Sequence, residues 1–74
     1  MQNESENVEL TEAEDDVRQL AQHIADQQIR IEQLQAAGRN DDEIKAREGL
    51  FLLADALEIA NRRLQVEREA RGIR

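Results

Sequence analysis

The 74-residue sequence predicts an all-α protein, an antiparallel helical hairpin completed as a four-helix bundle by dimerisation. Three observations carry that expectation. Apolar residues recur at steps of three and four in two long stretches, the pattern of helices that each cover one face. The junction Gly38-Arg39-Asn40, followed by three acids, separates those stretches. The second stretch carries two apolar stripes, and a helix apolar on two sides is normally covered on two sides.

Residues 1–10 are polar and aperiodic, so they are expected to be a disordered acidic tail in front of a hairpin spanning residues 11–74. Thr11-Glu12-Ala13-Glu14 reads as a capping box, with Asp15 and Asp16 behind it where carboxylates suit the positive end of a helix dipole. The first helix is therefore expected over 12–37. Its apolar positions form a heptad, with Val17, Ile24 and Ile31 at a and Ala13, Leu20, Gln27 and Leu34 at d. Gly38 suits the left-handed position that ends a helix. Asn40 is the expected cap of the next one, with Asp41, Asp42 and Glu43 in its first turn. So short a turn, residues 38–40, makes the second helix, 41–71, return antiparallel.

The second helix centres on Gly49 to Ala60, GLFLLADALEIA, which holds the only Phe and the densest apolar run. One stripe runs Ala46, Leu50, Leu53, Leu57, Ala60, Leu64. Folding the chain at 38–39 pairs positions whose numbers sum to 77, so that Leu20 meets Leu57, Ile24 meets Leu53 and Ile31 meets Ala46. The expected intrachain core is thus Val17, Leu20, Ile24, Ile31, Leu34, Leu50, Leu53, Leu57 and Leu64. The other stripe, Leu52, Ala56, Ile59, Val66, Ala70 and Ile73, faces away and is the expected interchain interface.

Bulk properties narrow the function. A chain this short buries a modest core and leans on disulfides, metals or oligomerisation. There is no cysteine and one histidine, so thiolate or His-cluster metal sites are not expected, and oligomerisation is the support that remains. Net charge is −7, and all of it lies in residues 1–16, which hold seven acids and no base; the rest carries ten acids against ten bases. The start, MQNESENVEL, lacks the apolar core of a signal peptide, and no apolar run approaches the roughly 20 residues that span a bilayer, so a cytoplasmic location is expected.

The segment Val17 to Leu64 resembles a group of short bacterial two-helix hairpin proteins of unknown function. They have an Arg-Ile and Gln/Leu-rich first helix, a Gly-containing turn followed by acids, and a leucine-repeat second helix ending in an Arg pair. The matching residues are Ile24, Gln28, Ile31, Leu34, Gly38, Leu50, Leu53, Leu57, Arg62 and Leu64. In architecture the chain is also similar to the small RNA-binding hairpin that regulates plasmid copy number, which implies that a hairpin of this size can be completed by dimerising.

Individual residues offer no catalyst. His23 sits at a g position, where a lone histidine is more often a surface residue than a ligand. Ser5 is the only serine, so no Ser/His/Asp set can be built, and Gly38, Gly49 and Gly72 form no phosphate loop. Gln27 at a d position either fixes register or marks a loosely packed layer. The arginines of residues 62–74 are interrupted by Glu67 and Glu69 and lack aromatic neighbours for base stacking, which favours a face that answers the acidic start of the first helix over a nucleic-acid site. Acidic residues 4–16 serve solubility more often than docking. Ile29, at the outward f position, could extend an interface. A membrane-surface helix is disfavoured because the outer stripe lacks Trp and Phe and is broken by Arg63. The functional expectation is a non-enzymatic protein–protein interaction module, a small adaptor, assembly or regulatory subunit, with no cofactor and a homodimer as its form. The alternatives are an inhibitor or antitoxin-like binder of another protein, and an RNA-binding hairpin dimer.

Overall fold

The computed structural model describes residues 4–72. Among them the chain forms two helices, α1 (Glu4–Ala36) and α2 (Asn40–Ala70), packed on each other as a hairpin without any strand. The molecule is a rod of 58 × 17 × 15 Å. One helix with its side chains is about 10–12 Å across, so the rod is barely two helices thick.

α1 starts earlier than the capping box suggests. It already runs from Glu4, so residues 4–10 of the expected tail are helical, while residues 1–3 lie outside the described residues. A capping box competes with simple continuation of the helix, and nothing between Glu4 and Thr11 stops that continuation. Glutamates are good helix formers, and their carboxylates suit an N-terminal turn. The added turns also have something to lie on: Leu10 is half-buried, and Glu9 reaches Arg71 near the end of α2.

The turn is built as the glycine implies. Gly38 has φ 71°, the Arg39 amide donates to the Leu34 carbonyl (3.0 Å), and the Gly38 amide donates to Gln35 (3.1 Å). These two bonds are the Schellman closure, which satisfies carbonyls that a helix end would leave open. Its geometry displaces the expected cap. Arg39, not Asn40, is the N-cap of α2; it makes no side-chain cap bond, and Asn40 is already helical. The Arg39 guanidinium instead pairs with Asp42 in the first turn, and Asp41, Asp42 and Glu43 supply the carboxylates that the helix start favours. Gly72 repeats the positive-φ ending after α2, at φ 73°.

Burial follows the first stripe but is thin. The buried residues are Ala13, Ile31, Leu34, Ala46, Ala60 and Leu64, three of them alanines, so close helix approach replaces bulk as the means of exclusion. Ile31, Leu34 and Ala46 form the packed cluster next to the turn, with Leu50 against it. Of the expected core, Val17, Leu20, Ile24, Leu50, Leu53 and Leu57 are only half-buried. A single partner helix cannot wrap a leucine whose far side faces solvent.

Gln27 has a specific job at its seam position. Its Nε2 donates across the hairpin to the Ala46 carbonyl at 2.8 Å. A Cβ on Gly49 would lie 3.2 Å from that same nitrogen, which accounts for a glycine in the middle of α2, where it otherwise costs about 1 kcal/mol against alanine. The bond ties one layer of α1 to one turn of α2 and so opposes sliding.

Two outcomes are expected from denaturant titration at fixed protein concentration. Gly38→Ala should destabilise by about 1–2 kcal/mol through backbone strain alone, because nothing lies within 4 Å of the added methyl. Gly49→Ala should be nearly neutral in the native background and stabilising by about 1 kcal/mol once Gln27→Ala has removed the amide, a coupling that a double-mutant cycle measures.

Candidate interaction surface

The outer face of α2 is where apolar chemistry and exposure coincide. Leu52, Ile59 and Val66 recur at intervals of seven residues, and they are 71%, 67% and 62% exposed. Seven residues are close to two helical turns, so the three side chains line up along the rod. Between them, in steps of four and three, stand Ala56, half-buried, and Arg63, exposed, and Ala70, also exposed, follows Val66. Ile73, the last member of the expected stripe, lies outside the described residues.

Ala56 and Ile59 border an open groove of about 380 Å³ between the helices. Leu20 and Ala60 contribute apolar surface to it, and Asp16 and Arg63 bring charge. His23 stands on its α1 side, exposed and without a hydrogen bond or ion pair among the described residues. The Gln19 amide completes the lining beside these aliphatic and charged side chains.

The apolar exposure is broader than the stripe read from the sequence. Phe51 is 74% exposed and Ile44 is 57% exposed, seven residues apart and on the flank next to Leu52. Phe51, Leu50, Ala54 and the Arg47 stem line a smaller recess of about 220 Å³. The signal was present in the sequence, since 44 and 51 fall well away from the Ala46–Leu64 stripe at 100° per residue, but neither belongs to a continuous line. On α1, Ile29 and Val8 are each 52% exposed. In total seven large apolar side chains stand out of the described hairpin, against three large ones within it.

The arginine-rich end of α2 is positioned by acids. Arg63 pairs with Asp16 (3.2 Å), Arg68 with Glu14 (3.8 Å) and Arg71 with Glu9 (3.7 Å), all across the hairpin. Arg71 is the best covered of them, with a side chain 13% exposed that also bonds the Glu67 carboxylate and main-chain carbonyl. Arg62 binds Glu58 one turn back on its own helix at 2.6 Å. The acids of these cross-hairpin pairs are 41–58% exposed, so each contributes within the 0–1 kcal/mol typical of solvated pairs. They join the open end of the hairpin, whose antiparallel return the turn already imposes. No helix among the described residues is long and apolar enough to cross a membrane.

Replacing Glu9, Glu14 and Asp16 together by their amides should lower stability by no more than about 3 kcal/mol and reduce the salt dependence of the melting midpoint. Thermal melts by circular dichroism between low and high salt check both parts. Comparison of the chain with protein-family models, with curated proteins and with solved structures gave no match.

Proposed function

We propose that this chain is a non-enzymatic protein–protein interaction module, a small adaptor, assembly or regulatory subunit that works by helix packing. Its form is a homodimer in which two hairpins make a four-helix bundle. The observation that carries the reading is the exposure of Leu52, Ile59 and Val66 in one line along α2. Apolar side chains in register on one helix face are the surface that helix-in-bundle packing consumes. Leaving them in water forfeits about 1.5–3 kcal/mol of burial for each large side chain.

Two further observations bear on the rivals. Arg62, Arg63, Arg68 and Arg71 each contact an acid, which weakens the case for a phosphate-binding face. Glu48 and Asp55 flank the outer line, an arrangement that anionic lipid repels. A second reading, binding to a different protein in the manner of an inhibitor or antitoxin, gains from Ile44 and Phe51. They stand to one side of the Leu52 line and would remain available after self-association through it.

Light scattering on a sizing column should give twice the 8.5 kDa chain mass for the full chain. Ile59→Asp should weaken association at least about 100-fold and lower helicity, because it places a charge in the centre of an apolar seam. A native chain that stays monomeric and fully helical at high micromolar concentration would sink the self-association reading. Retention on RNA that falls steeply with salt would support the nucleic-acid alternative instead.

A further inference from the structure

Granted that the outer face of α2 binds a second copy of this chain, we propose that the two α2 helices cross antiparallel, with positions summing to 115 opposite each other. The two-fold axis then passes at the level of residues 57–58. This deepens the proposed function by assigning the orientation and the residues that select it.

The outer seam consists of two lines. One is bulky, Leu52, Ile59 and Val66; the other is Gly49, Ala56 and Arg63. A parallel pair sets each line against its own copy. Ala56 would face Ala56, leaving a gap, and Arg63 would face Arg63, two cations in one layer. An antiparallel pair sets the lines against each other, as interdigitated layers require. Gly49 then faces Val66, Ala56 faces Ile59, and Arg63 faces Leu52. Arg63 can lay its methylenes on that leucine while its guanidinium stays on Asp16, where it already is at 3.2 Å.

Charge on the flank selects the register. Asp55 has no ion pair or hydrogen bond among the described residues. Arg62 is on the same flank seven residues on, about 10 Å along the same helix and out of reach. In the antiparallel register each Asp55 stands within two residues of the level of the other copy's Arg62, whose guanidinium would then bridge Asp55 and its own Glu58, now at 2.6 Å, and symmetry makes the contact twice. Shifting the helices by one heptad, to a sum of 122, would bring Asp55 within two residues of the level of Glu69 and Arg62 within two residues of the level of the other Arg62. The chosen register does put Glu48 near Glu69, but at the outer ends of the seam, where water and salt screen them. A parallel pair would offer Arg62 the carboxylate of Glu67, which Arg71 already holds.

The chain has no cysteine, so a single nitroxide can be placed cleanly. With Asp41→Cys labelled in the full chain, pulsed dipolar spectroscopy should read about 50 Å between copies, since 33 residues of helix rise separate the two labels. A distance below about 20 Å would overturn the antiparallel orientation while leaving the dimer intact. Absence of any intermolecular distance at concentrations up to about 1 mM would instead overturn the self-association on which the proposal rests. Asp55→Arg and Arg62→Asp should each weaken dimerisation about tenfold, and the double exchange should recover most of it. An unrecovered double variant would reject the register.

Discussion

Two helices that touch along one line can shield one stripe of each, and this chain carries more apolar surface than two stripes hold. Everything else in the molecule answers to that geometric limit. The rod is barely two helices thick, the fully covered positions are half alanine, and six expected core leucines, isoleucines and valines keep one side in solvent. A globular domain hides large side chains by surrounding them; a hairpin has no third element with which to do so.

Under that limit, precision of the seam matters more than bulk. Alanines at 13, 46 and 60 let the helices approach closely at three levels. Between them, the Gln27 amide on the Ala46 carbonyl, with Gly49 leaving room for it, gives one layer a directional bond in place of volume. A seam made only of aliphatic contacts can slip by a heptad at modest loss. A seam with one polar bond at one level cannot slip without leaving that donor unsatisfied.

Charge then acts at a coarser scale. The acids concentrated before residue 17 and the arginines after residue 61 meet because the hairpin brings its two ends together, in a ladder of exposed pairs. Each pair is weak, yet all have the same sense, and together they hold the open end of a hairpin whose orientation the turn imposes.

The helices, the turn, the antiparallel return and the covered stripe were legible from the sequence, because each is a local or periodic property: 3.6-residue spacing, glycine at positive φ, acids at a helix start. Gly38, Ile31, Leu34, Ala46 and Leu64 stand where spacing places them. The start of α1 was not legible, because Thr11–Glu14 satisfies the rule for a cap while Glu9 finds Arg71 at the far end of α2, a partner that only the folded hairpin supplies. Nor was the role of Gly49, whose missing side chain is explained by an amide 22 residues away in the chain. The breadth of the exposed patch, with Phe51 and Ile44 beside the Leu52 line, was likewise decided by packing. Sequence periodicity says which residues share a face; how far a neighbouring helix reaches around that face depends on the distance and angle at which the two helices meet.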